Sequence, residues 1–145
     1  MLLLVTMITI IGGMTLVKNR PLASQTNADT ANEPQSKALY DRVQYLDYSE
    51  QNLLSSRKFG RTLLFFAATT WCSNCVELEK QIKTHISELP NDITILKVDY
   101  DNDRETKAKY LVTMQTTLVL LDGNGDEIKR WIGTGSFDDL MENIN

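Results

Sequence analysis

The chain has 145 residues, a formal net charge of −4, two cysteines and a single histidine. This length suits one folded domain, and a chain without a block of basic residues is a poor partner for nucleic acid. Two cysteines and one histidine cannot supply a four-ligand zinc site within one chain, nor can they form a framework of several disulfide bonds. If both cysteines act, they therefore act as a pair.

Residues 1–17, with the sequence MLLLVTMITIIGGMTLV, carry no charge. As an α-helix they would span roughly 25 Å, slightly less than the hydrocarbon core of a bilayer. We expect this apolar helix to be an uncleaved membrane anchor, because the small residues that a signal-peptide cleavage site requires are poorly spaced. A cleaved signal peptide and a buried core helix are the alternatives.

Residues 18–37 contain almost no large apolar side chains and are rich in Ala, Ser, Thr, Asn and Gln. Such a segment cannot bury enough surface to offset its ordering entropy, so it predicts a flexible linker and leaves residues 38–145 as the folded domain. Lys18 and Arg20 would keep their end of the apolar segment in the cytoplasm. The linker favours the opposite orientation, because a spacer of this kind lifts a domain away from a membrane. We expect a membrane-anchored protein whose domain lies outside the cytoplasm, in the cell envelope.

The first half of the folded part begins with weak signals and then becomes strongly patterned. Its predicted elements are a short edge strand at residues 43–45, a helix capped by Ser49 that ends at Gly60, a strand at residues 62–68, and a helix from Cys75 to about Pro90. The run at 62–68 is continuously apolar, which is typical of a strand buried on both faces. The helix is predicted from apolar residues that recur at steps of three and four.

The second half continues the alternation. Its predicted elements are a strand at 93–99, a helix capped by Asn102 or Asp103 that ends near Tyr110, strands at 117–121 and 127–132, and a final helix that begins at Ser136. Residues 122–125, Asp-Gly-Asn-Gly, predict a hairpin because both glycines accept positive φ, and Ser136 with Asp139 resembles a capping box. The order β-α-β-α-β-α-β-β-α predicts an α/β sheet with helices on both faces.

Cys72 and Cys75 lie where a buried strand turns into a helix. Two intervening residues place both sulfurs on the first helical turn, close enough to bridge. The partial positive charge and free N–H groups of a helix N-terminus favour the thiolate of Cys72. Cys72 is therefore predicted to attack a substrate disulfide and Cys75 to resolve the mixed disulfide. An inert pair, a static bridge and a metal shared between the cysteines of two chains are the alternatives.

Residues 49–145 resemble the thioredoxin-like family. The resemblance is carried by residues 65–75 (FFAATTWCSNC), 97–101 (KVDYD) and 116–118 (TTL), and by Gly133 with the helix after it. It implies a central mixed β-sheet flanked by helices, disulfide exchange with protein substrates and a redox partner protein, and no cofactor beyond the redox-active disulfide.

The resemblance also suggests roles for four residues around the cysteines. Trp71 matches a tryptophan that flanks the family's active site, although core packing is an alternative for it. Lys97 matches a lysine beneath the site, although it could equally lie at a solvated edge. Ser73 and Asn74 stand between the cysteines without the usual proline or histidine.

Three departures from the family pattern matter, and the Ser73-Asn74 dipeptide is one of them. Phe66 stands six residues before Cys72, where the family often has a buried acid, and a shift of one residue finds Phe65 or Ala67, still without an acid. Proton transfer to Cys75 would then rely on water, on Lys97 or on a nearby acid such as Glu77 or Glu79.

Thr116 replaces the family's cis-proline. A cis bond before threonine would cost about 3 kcal/mol, so we expect a trans bond. Without the proline ring the space over the sulfurs should open, and the hydroxyl could hydrogen-bond a thiolate. This substitution predicts a narrower substrate range and some uptake of Zn²⁺ or an iron–sulfur cluster by two paired chains. A non-catalytic binding module or such a metal-binding dimer is the alternative function. The direction of electron flow depends on the redox potentials of the cysteine pair and of its partners, which a motif does not encode.

Overall fold

The computed structural model describes residues 44–145. The predicted anchor at 1–17 and linker at 18–37 lie outside the described residues. The elements, in chain order, are β1 Tyr45–Asp47, α1 Glu50–Ser56, β2 Arg61–Ala67, α2 Ser73–Thr84, a 3₁₀ turn Ile86–Glu88, β3 Ile93–Asp99, α3 Arg104–Lys109, β4 Thr117–Leu121, β5 Glu127–Ile132 and α4 Phe137–Ile144. Within residues 44–145 no helix is both long enough and apolar enough to cross a bilayer.

The five strands form one mixed sheet in the order β1-β3-β2-β4-β5. Strands β1 and β2 run parallel to β3, whereas β4 runs antiparallel to both β2 and β5. Buried side chains of α2 and α4 pack on one face of the sheet, and α1 and the segment after α3 pack on the other. Strand β2 is central and covered on both faces, which explains its uninterrupted apolar sequence. The predicted mixed sheet flanked by helices is confirmed.

Two predicted boundaries differ at the start of the domain. Strand β1 begins at Tyr45 and extends to Asp47, beyond the predicted 43–45. Helix α1 ends at Ser56 rather than at Gly60. Gly60 instead leads into β2, and a Cβ atom there would lie 2.4 Å from the carbonyl oxygen of Asp92. The glycine is needed for close contact between two chain segments and not as a helix stop.

Helix α2 ends at Thr84, six residues before the predicted end at Pro90. His85 caps the helix, and its ring stacks on Phe137 with centroids 5.2 Å apart. Leu89, beyond the break, still packs in the same apolar cluster as α2. The apolar periodicity therefore continues past the point where the helical hydrogen bonds stop.

Hydrogen bonds to the side chain of Asp122 stabilise the hairpin between β4 and β5, and only one of its two glycines has a positive φ. The Asp122 carboxylate accepts the backbone N–H groups of Asn124 at 2.8 Å and Asp126 at 2.9 Å. Gly125 has a φ of +89°, whereas Gly123 does not have a positive φ, so only one of the two glycines is used as predicted.

The structure confirms the predicted helix caps only in part. Asp103, and not Asn102, caps α3 by accepting a backbone N–H at 2.9 Å. Ser136 caps α4 by accepting the N–H of Asp139 at 3.5 Å. The Asp139 carboxylate accepts from the N–H of Thr134 at 3.4 Å and not from Ser136, so the predicted capping box is only half formed.

Candidate active site

The two cysteines occupy the predicted junction, at the start of α2 just after the turn that follows β2. Cys72 is the N-cap residue, and its Sγ accepts the backbone N–H of Cys75 at 3.2 Å. The sulfurs are bonded to each other, with the Cα atoms 5.2 Å apart. Cys72 is 7% exposed and Cys75 is 0% exposed. Of the two sulfurs, Cys72 is therefore the one that a substrate can approach.

Trp71 lies at the surface beside this pair. It is 58% exposed, so the alternative of core packing is wrong. Its indole N–H donates to both carboxylate oxygens of Asp101, each at 3.2 Å. Asp101 could have been placed here from the sequence, because β2 and β3 are parallel neighbours and the residues that follow them meet at one edge of the sheet.

Ser73 and Asn74 are exposed on the first turn of α2. The loop after β5 lies against them, since a Cβ atom on Gly135 would lie 3.3 Å from the Asn74 Cα. Gly135 has a φ of +88°, a conformation in which a side chain is strained. This glycine, like Asp101, belongs to the site and was not singled out from the sequence.

Lys97 is part of a network of charged side chains and is only 25% exposed. Its Nζ lies 3.3 Å from both Glu79 and Asp47, and Glu79 also pairs with Lys83 at 2.7 Å. Burial acts to lower the pKa of Lys97, but Glu79 and Asp47 outweigh it and raise that pKa. Burial acts to raise the pKa of Glu79, but Lys83 and Lys97 outweigh it and lower that pKa. Both groups are thus held in their charged forms.

This charge network makes no hydrogen bond to either sulfur within residues 44–145. Glu79 is occupied by two lysines, and Glu77 accepts a hydrogen bond from Gln81 at the surface. The three side chains named from the sequence for proton transfer therefore make their hydrogen bonds away from the sulfurs, and a role for them or for water stays a prediction.

The residues beneath the cysteines carry no acid. Phe65 and Ala67 pack in the same cluster as Cys72, whereas Phe66 packs in the cluster on the opposite face and contacts Tyr110 edge to face. The β2 side chains on the cysteine face are therefore Phe65 and Ala67, the two residues that a shift of one position selects, and neither is an acid.

Thr116 lies directly over the sulfurs. Its Oγ1 is 3.1 Å from the Sγ of Cys75 and 3.4 Å from the Sγ of Cys72. Residues 44–145 contain no cis peptide bond, in agreement with the expected trans bond. The expected opening of the space over the sulfurs is not seen, because Thr116 itself is only 3% exposed and covers both of them. In the same described part of the chain, no group of three or more His, Cys, Asp or Glu side chains could hold a metal ion.

Comparison with known proteins identifies the fold and its chemistry. The thioredoxin family model matches residues 48–145. The chain belongs to the thioredoxin family. Thioredoxin of Chlamydia trachomatis serovar D is 34% identical over 97 residues, which cover 67% of this chain and 92% of that protein. Thioredoxin of Bacillus subtilis is 28% identical over 98 residues, covering 67% of this chain and 91% of that one.

Solved structures show the same architecture. Thioredoxin of Fasciola hepatica superposes with a TM-score of 0.54 and 30% identity, over 65% of this chain and 86% of that one. Trxlp of Edwardsiella tarda superposes with a TM-score of 0.60 over 70% of this chain and 98% of that one, and at 24% identity it shows the fold alone. Together with the Cys72–Cys75 pair, family membership makes this protein a thiol–disulfide oxidoreductase that acts on protein disulfides.

Proposed function

We propose that this thioredoxin-family protein reduces disulfides of protein substrates, with Cys72 as the attacking thiolate and Cys75 as the resolving thiol. The difference between the two sulfurs carries the proposal. Cys72 keeps 7% exposure and receives a backbone N–H at the start of α2, whereas Cys75 is fully buried one turn inside the helix. A helix N-terminus favours negative charge at the first of these positions.

The reaction balances in two steps. The Cys72 thiolate attacks one sulfur of the substrate disulfide, forms a mixed disulfide and releases the other substrate sulfur as a thiolate. Cys75 then loses its proton and attacks the Cys72 sulfur, which forms the Cys72–Cys75 disulfide and releases the second substrate sulfur. The proton of Cys75 ends on one of the substrate sulfurs. The substrate gains two electrons, and a redox partner protein returns two electrons to the cysteine pair.

We assign substrate contact to the exposed residues around Cys72, namely Trp71, Ser73 and Asn74. Trp71 offers an apolar ring whose orientation is set by its hydrogen bonds to Asp101. A partly exposed aromatic side chain next to a reactive sulfur can bury apolar substrate surface during the exchange.

The assignment of the two cysteines is tested by limited alkylation. The full chain is reduced in detergent and treated near neutral pH with less than one equivalent of iodoacetamide, and the adduct is mapped by mass spectrometry. We expect the label on Cys72, while the same treatment in denaturant should label both cysteines equally. Preferential labelling of Cys75 in the folded protein would overturn the assignment.

Turnover distinguishes an enzyme from a binding module that holds a partner without reacting. We expect the reduced protein to reduce insulin with a regenerating thiol, and we expect Cys72→Ser to abolish this activity. A parent protein that binds substrate but does not accelerate reduction over the thiol alone would favour the binding module.

We also propose that residues 1–17 hold the protein at a membrane, that residues 18–37 are a spacer, and that the domain from residue 38 lies in the cell envelope. The support is in the sequence, in an uncharged apolar run followed by a polar segment. Fractionation with N-terminal sequencing tests retention, and protease treatment of intact cells tests the side. A soluble mature protein that begins near Ser24 or Asn32 would refute the anchor, and cleavage only in broken cells would refute the topology.

A further inference from the structure

Thr116 holds a hydroxyl between two reactive sulfurs. Its Oγ1 is within hydrogen-bond distance of Cys75 Sγ at 3.1 Å and of Cys72 Sγ at 3.4 Å. No other side chain within residues 44–145 makes a hydrogen bond to either sulfur. Thr116 is 3% exposed, and the two sulfurs are the polar partners that its hydroxyl has within residues 44–145.

The chain fixes this hydroxyl in place from both sides. The Thr116 N–H donates to the carbonyl oxygen of Phe66 at 2.8 Å, and its own carbonyl oxygen accepts from the N–H of Gly133 at 2.9 Å. A Cβ atom on Gly133 would lie 3.3 Å from the Thr116 methyl group, so the methyl faces the glycine while the hydroxyl faces the sulfurs.

The backbone of Thr116 is strained. Its φ is +59°, in the left-handed region that β-branched residues rarely adopt. Strain of this kind persists where the surrounding structure holds it, often at functional sites. Here the strained conformation delivers the hydroxyl to the one place where two sulfurs can share it.

A hydroxyl can form stronger hydrogen bonds with the reduced cysteines than with the disulfide. It offers one donor hydrogen and two lone pairs. Disulfide sulfurs are weak acceptors, whereas the reduced pair presents a thiol that donates and a thiolate that accepts strongly. Hydrogen bonds to an ionised partner are roughly twice as strong as neutral ones.

We propose that the Thr116 hydroxyl bridges the reduced cysteines, accepting a hydrogen bond from the Cys75 thiol and donating one to the Cys72 thiolate, and that this bridge raises the redox potential of the pair. The proposal rests on the assignment of Cys72 as the thiolate. The bridge stabilises the dithiol form relative to the disulfide, so the disulfide becomes a stronger oxidant than the same pair without the hydroxyl. Thr116 is in this sense a catalytic residue that touches both reacting sulfurs.

The test compares Thr116→Val, which keeps the shape and removes the hydroxyl, with Thr116→Ser, which keeps the hydroxyl. Thr94→Val controls for replacing a buried threonine of the sheet. Each full-length variant is equilibrated with glutathione buffers, and its reduced fraction is measured. We expect the Val variant to be at least tenfold harder to reduce, which corresponds to a potential about 30 mV more negative. The Ser variant and the Thr94→Val control should stay within about threefold of the parent, or roughly 0.6 kcal/mol.

A Val variant that matches the parent, or a Ser variant that shifts as far as Val, would overturn the bridge. If Thr116→Val does not fold, Thr116→Ala removes the same hydroxyl with less bulk and should give the same shift. Thiolate absorbance at neutral pH separates this failure from failure of the cysteine assignment. Cys72→Ser should lose that absorbance, and a Cys72→Ser protein that keeps it would place the thiolate on Cys75 whatever Thr116 does.

Discussion

Asp101 orients Trp71, the large aromatic side chain that directly precedes Cys72. Both of its carboxylate oxygens accept from the Trp71 indole N–H, and Trp71 is otherwise more than half exposed. A hydrogen bond to a charged group at such a site contributes about 1–2 kcal/mol. Its loss would free the indole and lower the population of the orientation that meets a substrate.

We therefore expect Asp101→Ala to slow the reduction of a protein disulfide by about fivefold, corresponding to roughly 1 kcal/mol. Reduction of a small disulfide, which needs little contact with Trp71, should change by less than twofold. Asp126→Ala, in the exposed hairpin at the opposite end of the sheet, is the control and should leave both rates unchanged. Equal losses on protein and small disulfides would show that Asp101 supports the cysteines and not the substrate contact.

The charge of Glu79 makes part of the domain's free energy of unfolding depend on pH. Its folded pKa is lowered by Lys83 and Lys97 despite burial that acts to raise it. An unfolded glutamate has a pKa of about 4.3. The stabilisation is therefore complete above that value and is lost as the pH falls through the lower, folded pKa.

We expect Glu79→Gln to reduce the free energy of unfolding by about 1 kcal/mol at neutral pH. The difference from the parent should shrink below about pH 4 and vanish once Glu79 is protonated in both states. Glu77→Gln removes an exposed acid from the same helix, 3.8 Å from Lys80, and should change stability by less than about 0.5 kcal/mol. Urea unfolding at several pH values measures all three proteins, and a pH-independent loss for Glu79→Gln would contradict the role of its charge.

Helix α3 is followed by a leucine at a position where glycine is the usual residue. The N–H of Leu111 donates to the carbonyl oxygen of Ala108, and the N–H of Val112 donates to that of Lys107. This pair of bonds is the Schellman motif, in which glycine usually occupies the left-handed position. Leu111 holds that position with a φ of 53° while 79% exposed.

We expect Leu111→Gly to raise the free energy of unfolding by about 1 kcal/mol, because a leucine in the left-handed region costs 1–2 kcal/mol and this one buries little. The matched control is Leu54→Gly, an exposed leucine inside helix α1, which should lower stability by about 1 kcal/mol. Chemical denaturation measures both. Destabilisation by Leu111→Gly would show that the exposed leucine makes contacts that outweigh its strain.

The elements that the sequence predicted best are those with one dominant signal. The apolar run of β2 predicted a central buried strand, and Ser136 predicted the start of α4. The end of α2 could not be predicted, because Leu89 continues the apolar pattern beyond the last helical hydrogen bond. Leucine and threonine rarely adopt a positive φ, so the conformations of Leu111 and Thr116 could not be predicted from the sequence either.

Across the domain, the active site is assembled from segments that are distant in the chain. The start of α2 supplies the sulfurs, Thr116 lies just before β4, and Gly133 after β5 contacts Thr116. The sequence alone predicted the two cysteines, because their spacing at a strand–helix junction is a local pattern. It placed Thr116 near them only through family resemblance, and it could not show that the hydroxyl contacts both sulfurs.

The alternation of β2 explains why the face on which Phe66 packs could not be predicted by counting from Cys72. Counting back from the cysteines assumes a fixed number of residues in the turn after β2, and a change of one residue moves every side chain of the strand to the other face. Only the packing of Phe65 with the cysteines and of Phe66 against Tyr110 fixes the alternation.

Trapping of the mixed disulfide tests the central claim most directly. The full-length Cys75→Ser protein, reduced and mixed with insulin, cannot resolve the intermediate. We expect a stable covalent adduct joined through Cys72, identified by mass spectrometry and reversed by dithiothreitol, and we expect no adduct with Cys72→Ser. An adduct that forms through Cys75 in the Cys72→Ser protein, with none in the Cys75→Ser protein, would contradict the account.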